Sequence, residues 1–95
     1  MSKGARRRQE IVEVGLQVWR ENPARVNMSH IASLIGVTHA AIAYHYPGID
    51  ALRDAIARHA VHVGDPVVVP MLLAARHVAT VGMTAEQKAP FLQSL

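Results

Sequence analysis

The residues best suited to chemistry lie in one stretch, from Asn27 to Tyr46. Asn27 and Thr38 each precede a run that can form a helix, and both side chains are good helix N-caps. Between the two runs, Gly36 can adopt the positive φ that ends a helix abruptly. The pattern predicts a helix, a tight turn and a second helix, an arrangement whose second helix can enter the major groove of DNA.

The second helix, about residues 38–45, would carry the side chains that read DNA. A histidine can donate to or accept from a purine edge, and alanines allow close approach and contact with thymine methyl groups. A tyrosine one turn later lies on the same helix face. We therefore predict base contacts from His39, Ala40, Ala41 and Tyr44. The alternative is a solvent-exposed, alanine-rich helix that binds nothing.

Phosphate contacts are expected from a second set of polar and basic residues. The arginine run at residues 6–8, after a loose arm at residues 1–5, can follow the DNA backbone or enter a minor groove. Hydroxyl groups and backbone N–H groups at helix starts also favour phosphate. The predicted phosphate-contacting residues are Arg6, Arg7, Arg8, Asn27, Thr38 and His45. The alternative for the arginine run is a solvated cluster of charges.

The positive charge is concentrated in the first two thirds of the chain. Residues 1–60 contain eight lysines and arginines against five acidic residues, whereas residues 61–95 contain two of each. The formal net charge of +3 therefore belongs to the part that contains the predicted reading helix. A basic part and a neutral, apolar part suggest that one binds phosphate and the other binds protein.

The size and composition indicate one small domain with a modest core. Its 95 residues are 51% hydrophobic but only 4% aromatic, and no cysteine is present to form a disulfide. A core of this size often needs further stabilisation, and we expect dimerisation to supply it. No apolar run reaches about 18 residues and no signal peptide is recognisable, so a cytoplasmic protein without a membrane segment is expected.

Hydrophobic periodicity and helix-stop signals predict an all-α fold of six helices. The two helices of the helix-turn-helix are the second and third of the six. The other predicted spans are Ala5–Glu21, Ile49–Val63, Val67–Ala79 and a short helix that begins with the capping box Thr84-Ala85-Glu86-Gln87. A strand at residues 67–69 is a minor alternative. Residues 1–60 would form the helix-turn-helix region, and residues 61–95 a helical dimerisation region of the same domain.

The apolar residues of the last two helices are the predicted dimer interface. They are Val67, Val68, Met71, Leu72, Phe91, Leu92 and Leu95. No nucleophile–base pair, phosphate loop or pair of catalytic carboxylates is visible. His59 and His62 lie three residues apart, but nothing nearby completes a metal ligand set. We therefore predict no catalytic residue, no metal and no cofactor.

The chain resembles a known family over about residues 6–60. The residues that carry the resemblance are Ile31-Ala32, Gly36-Val37-Thr38, Ile42, Tyr46 and Asp50-Ala51-Leu52, and they look like the N-terminal DNA-binding domain of TetR-family repressors. The first helix, with its buried face and Trp19, fits the same pattern. Short repressors of the Kor type, encoded by plasmids and phages, are a nearer comparison in length.

The resemblance is incomplete in ways that bear on function. The family usually has a tyrosine at the position of Ala43 and a lysine at that of Ile49, both contacting phosphate, and neither residue here can do so. The 35 residues from Val61 onward leave no room for the family's large ligand-binding domain, so no small-molecule inducer is expected.

These observations predict a sequence-specific DNA-binding repressor that acts as a homodimer on a palindromic operator. The alternative is a helix-turn-helix module that binds a protein, as an anti-repressor or a polymerase-binding regulator. An enzyme is the least favoured class.

Overall fold

The structure, a computed structural model, describes residues 2–92, and every regular element in that range is helical. The α-helices are α1 (Lys3–Glu21), α2 (Met28–Ile35), α3 (His39–His45), α4 (Ile49–Val63), α5 (Val68–Ala74) and α6 (Ala85–Leu92), with short 3-10 turns at Pro23–Arg25 and Val78–Thr80. The all-α prediction is therefore confirmed for the described residues. The strand alternative is wrong, because Val67 lies in a turn and Val68 begins a helix that runs to Ala74.

Helix α1 begins earlier than its sequence pattern predicts. The Ser2 hydroxyl accepts a hydrogen bond from the Ala5 amide at 3.2 Å and so caps a helix that starts at Lys3. Residues 3–5 are consequently not a loose arm, and the arginine run 6–8 lies on a regular helix. The positions of these arginines are therefore set by the helix.

The core forms where α1 packs against α4 and α2. Gly15 allows this close approach, since a Cβ atom on it would lie 2.4 Å from Cδ1 of Ile56 on α4 and 3.5 Å from Cδ1 of Ile31 on α2. Trp19 is buried at the end of the same helix face, and the Arg53 guanidinium lies 4.6 Å from the centre of its ring. The tryptophan is therefore part of the core, in a cation–π contact.

Asp65 joins the first helix to the C-terminal part of the chain. One carboxylate oxygen accepts hydrogen bonds from the amides of Val67 at 3.0 Å and Val68 at 2.8 Å, which caps α5. The other oxygen accepts from the guanidinium of Arg20, at the end of α1. Asp65 is only 1% exposed, so these hydrogen bonds stabilise its charge almost entirely in place of water.

Helix α5 is shorter than predicted. It ends at Ala74 instead of Ala79, because Arg76 adopts a left-handed conformation with φ of 53°. The amides of Arg76 and His77 then donate to the carbonyls of Leu73 and Leu72, at 3.1 and 2.9 Å. This is the Schellman pattern of helix termination, here formed by an arginine where glycine is usual.

The last helix begins as its capping box predicts. The Thr84 amide donates to the Gln87 side chain at 2.9 Å, and the Gln87 amide donates to the Thr84 hydroxyl at 3.1 Å. These reciprocal bonds satisfy amide groups that a helix start leaves without partners. Pro90 lies inside the helix. This helix contacts α5, which places the two predicted dimerisation helices side by side.

Candidate functional site

Two short helices and their connection form the framework of the site. The Asn27 side chain accepts from the His30 amide at 2.7 Å and caps α2, and the Thr38 hydroxyl accepts from the Ala41 amide at 3.1 Å and caps α3. Gly36 ends α2 with φ of 87°, and the following residue donates back to the Ala32 carbonyl at 3.0 Å. Both predicted caps and the glycine stop are confirmed, so three residues separate the two helices.

One apolar residue anchors α3, and the opposite side of the helix is exposed. Ile42 is completely buried in the core. His39 and Ala40 are exposed, Ala41 is partly buried, and Tyr44 has 85% of its surface exposed. Its ring makes an edge-to-face contact with the ring of His45, with the ring centres 5.0 Å apart, and the rest of it faces solvent. The predicted base-contacting residues therefore lie at or near the molecular surface, and their roles remain predictions.

The arginine run of α1 lies beside the C-terminal end of α3. An open groove between the two is lined by Lys3, Arg6 and Arg7 from α1 and by Tyr44 and His45 from α3. The histidine ring is close enough that a Cβ atom on Gly4 would be 3.9 Å from its Cε1 atom. The sequence alone did not indicate this juxtaposition, because about forty residues separate the two segments.

Acidic side chains lower the positive charge of this groove. Glu10 and Glu13 also line it, and Glu10 pairs with Arg7 at 2.8 Å. The pair is exposed, so solvent screens it and it contributes little to stability. Arg7 can therefore exchange this partner for another anion at small cost.

Tyr46 connects the site to the core. It is half-buried and packs against the core. Burial raises the pKa of its hydroxyl, and the nearby positive charge of Arg8 opposes that rise. Arg8 therefore lies near the end of α3, as do the groove-lining residues, although its own side chain is exposed.

A hydrogen bond between α2 and α3 is a second feature that the sequence alone did not indicate. The Ser29 hydroxyl lies 3.1 Å from Nδ1 of His39, across the turn. Both residues are exposed. The sequence does show that Ser29 and His39 are polar residues in the first turns of consecutive helices. The relative orientation of two helices is a tertiary property, however, and local spacing does not give it.

The predicted dimer interface is partly wrong. Val68 is completely buried and Leu72 is only 2% exposed, so both belong to the core of this chain and cannot contact a partner. Val67, Met71 and Leu92 are exposed. Phe91 is partly buried against the core, and Leu95 lies outside the described residues.

The described residues offer little for other kinds of chemistry. Between Ser2 and Leu92, no three histidine, aspartate or glutamate side chains come together in a way that could hold a metal ion. In the same range, no helix combines the length and the apolar character that crossing a membrane requires.

Comparisons with protein families, with curated proteins and with solved structures found no match to this chain.

Proposed function

We propose that the chain is a sequence-specific DNA-binding repressor that acts as a homodimer, with α2 and α3 as a TetR-like helix-turn-helix. The observation that carries the proposal is the juxtaposition of the exposed face of α3 with the basic N-terminal turns of α1. Sequence-specific proteins combine a helix that reaches base edges with nearby cations that hold phosphate. Here Tyr44 of α3 and the cations Lys3, Arg6 and Arg7 of α1 line the same groove.

The exposed face of α3 suits close contact with the major groove. His39, Ala40 and Tyr44 are exposed, while Ile42 holds the helix against the core from the other side. Small alanine side chains let the helix backbone approach the bases, and the histidine ring can bond a purine edge. The tyrosine hydroxyl can reach a base or a phosphate. This face is therefore more apolar than is usual for a solvent-exposed helix face, and it also carries polar groups that can bond bases.

The phosphate contacts of this protein would differ from those typical of the family it resembles. Ala43 is partly buried and Ile49 is 38% exposed, and neither side chain can bond a phosphate. Arg6, Arg7 and Lys3 supply the cations instead. If they neutralise about three phosphates, the logarithm of the binding constant should fall with a slope of roughly −3 against the logarithm of salt concentration.

A second copy of the chain completes the proposal. A single DNA-binding module buries only about 600–1,000 Å² of protein surface, which is little for tight specific binding. The exposed apolar residues Val67, Met71 and Leu92, with the partly buried Phe91, supply the dimer surface. Two copies related by a two-fold axis would bind half-sites about one helical turn apart, or a multiple of it. Repression would follow from occlusion of the promoter, which requires no catalytic step.

Selection from random DNA tests the proposal without knowledge of the operator. The purified chain should enrich a palindromic motif, and binding to that motif should exceed binding to shuffled DNA by at least about a thousandfold. Replacing Arg6, Arg7 and Arg8 with alanine should weaken both kinds of binding and reduce the salt slope. Lys88→Ala, in the C-terminal part, is the matched control and should change neither. Enrichment of no motif by the wild-type chain would refute the proposal.

A protein-binding module is the second candidate, and one observation favours it. Arg7 already has an anionic partner in Glu10, and Glu13 adds negative charge to the same groove. An anti-repressor or polymerase-binding regulator would bind its partner through exposed apolar residues such as Met71. Reversing the charge of the arginine run separates the two functions, because DNA binding would collapse while binding of a protein partner would persist.

A further inference from the structure

The hydrogen bond between Ser29 and His39 bears on how α3 would read a base. His39 is the first residue of α3, and Ser29 is the second residue of α2. Among the described residues, this bond and the Arg20–Asp65 pair are the hydrogen bonds between two side chains that join different parts of the fold, whereas the others of this kind join residues three or four apart in one helix. The bond therefore fixes the orientation of an otherwise exposed ring relative to α2.

The contact at Nδ1 determines what the other ring nitrogen can do. A neutral imidazole has one nitrogen that donates and one that accepts, and the bond made by one nitrogen sets the role of the other. A serine hydroxyl can donate its proton to Nδ1. Nε2 then carries the ring proton and is a donor.

The hydroxyl of Ser29 has a reason to donate to the ring. Within residues 2–92 it makes no other hydrogen bond, and a residue in the first turn of a helix has no helical carbonyl behind it to accept its proton. The nearby Ser33 shows the contrast, since its hydroxyl donates to the His30 carbonyl at 2.9 Å. Donation to Nδ1 is therefore the arrangement that uses the Ser29 proton within the protein.

We infer that Ser29 is a positioning residue that holds His39 with Nε2–H as an outward donor, so that this position selects a purine with an exposed acceptor, above all guanine. In the major groove guanine presents two acceptors, N7 and O6, whereas adenine presents N7 beside a donor, and cytosine presents a donor. A fixed donor therefore discriminates strongly against cytosine and less strongly against thymine. The inference rests on the proposed function for its DNA step, but the state of the ring can be measured in the free protein.

The first test uses the protein without DNA. Nitrogen-15 NMR of the imidazole rings, in a buffer well above pH about 6.5, the ordinary pKa of histidine, reports which ring nitrogen carries the proton. We expect the proton of His39 on Nε2 in the wild type and a larger Nδ1–H population in Ser29→Ala. Ser29→Thr keeps a hydroxyl and should resemble the wild type. Ser33→Ala removes a hydroxyl from the same helix and is the matched control. A wild-type ring protonated on Nδ1 would overturn the inference.

The second test measures base preference by selection from random DNA with the same variants. His39→Ala should lose its preference at one position of each half-site, and Ser29→Ala should weaken that same preference about two- to tenfold, the value of one hydrogen bond. Affinity for shuffled DNA and resistance to urea should be unchanged in Ser29→Ala, which separates positioning from a general loss of structure. The double variant should behave as His39→Ala alone, because the two residues act as one unit.

The outcomes separate this inference from the proposed function. If the wild type enriches a motif and Ser29→Ala keeps full preference at the His39-dependent position, Ser29 is not a positioning residue although the chain is a DNA-binding protein. If the wild type enriches no motif, the proposed function and its DNA-reading consequence both fail.

Discussion

Asp65 provides the sharpest test of how the two parts of the chain are joined. Its carboxylate caps α5 through the amides of Val67 and Val68 and also binds Arg20 at the end of α1. Asp65→Ala removes all of these bonds at once. Asp65→Asn keeps one acceptor oxygen for the cap but presents an amide N–H group to the guanidinium, so the two variants separate the cap from the ion pair.

The expected loss of stability follows from how deeply each bonding partner of Asp65 is buried. Loss of a side-chain cap lowers the free energy of unfolding by about 1 kcal/mol, and leaving the buried Val68 amide without an acceptor adds about 1–2 kcal/mol. The Arg20 side chain is 44% exposed, so it can turn to water and its ion pair adds little. We therefore expect a loss of about 2–3 kcal/mol for Asp65→Ala and about 1 kcal/mol for Asp65→Asn. A domain of this length has a free energy of unfolding of roughly 5–14 kcal/mol, so the larger loss is easily measured.

Urea denaturation followed by tryptophan fluorescence is the appropriate assay. Trp19 is the only tryptophan, it is buried, and the contact with Arg53 makes its emission sensitive to unfolding. For Asp65→Ala the midpoint should fall by about 1 M or more while the slope of the transition stays unchanged. Asp54→Asn, which removes an exposed pair with Arg58 within one helix, is the control and should change stability by less than about 0.5 kcal/mol.

The same carboxylate predicts how stability depends on pH. Burial raises the pKa of Asp65, but hydrogen bonds from the Val68 and Val67 amides and from Arg20 outweigh it, so the pKa is lowered overall. A lowered pKa stabilises the folded state at pH values above the pKa of an unfolded aspartate, about 3.9. This stabilisation is lost as the pH falls through the lower pKa of the folded state. Below pH about 4, wild-type stability should fall more steeply than that of Asp65→Ala. Two results would refute the assigned role of Asp65. One is that the stabilities of the wild type and Asp65→Ala fall in parallel with falling pH, and the other is that Asp65→Ala lowers the free energy of unfolding by less than about 0.5 kcal/mol at neutral pH.

Three further perturbations test the core, the reading face and the dimer surface. Gly15→Ala should lower the free energy of unfolding by about 1–3 kcal/mol, because its Cβ would lie 2.4 Å from Cδ1 of Ile56, whereas Gly82→Ala, with open space around it, should be tolerated. Tyr44→Ala should leave the urea midpoint unchanged, since the ring is exposed, but should reduce affinity for the selected DNA about tenfold. Met71→Glu should shift the chain from dimer to monomer in light scattering with little change in monomer stability.

Each of these perturbations has an outcome that contradicts its basis. Equal stability of the Gly15→Ala and Gly82→Ala proteins would mean that α1 and α4 do not approach as closely as the structure shows. A Tyr44→Ala protein with full affinity for the selected motif would remove this residue from the reading face. A Met71→Glu protein that remains dimeric would place the dimer surface elsewhere.

Much of the local structure was predictable because its determinants lie within a few residues. Asn27 and Thr38 cap their helices through bonds to amides three residues later, and Thr84 and Gln87 form their capping box over the same distance. Gly36 ends α2 because glycine adopts positive φ without steric conflict. These bonds depend on nearest neighbours along the chain, so residue type and spacing were sufficient.

The early end of α5 was not predictable, because it depends on an exception to the same rules. Arg76 takes the left-handed conformation that normally selects glycine, and nothing in its residue type indicates this. The bonds from Arg76 and His77 back to Leu73 and Leu72 stabilise the ending once the chain has turned. The apolar pattern therefore predicted a longer helix than the local backbone conformation at Arg76 allows.

The sequence by itself determined the helices, their caps and the residues that could meet DNA, whereas the tertiary structure decided which of them act together. Residue type shows that Val68 and Leu72 are apolar, but it does not show whether they pack against their own chain or a partner, and the structure buries both. The Ser29–His39 bond and the groove beside the arginine run likewise join distant residues. Such contacts depend on how helices pack around the common core, and no local pattern encodes that arrangement.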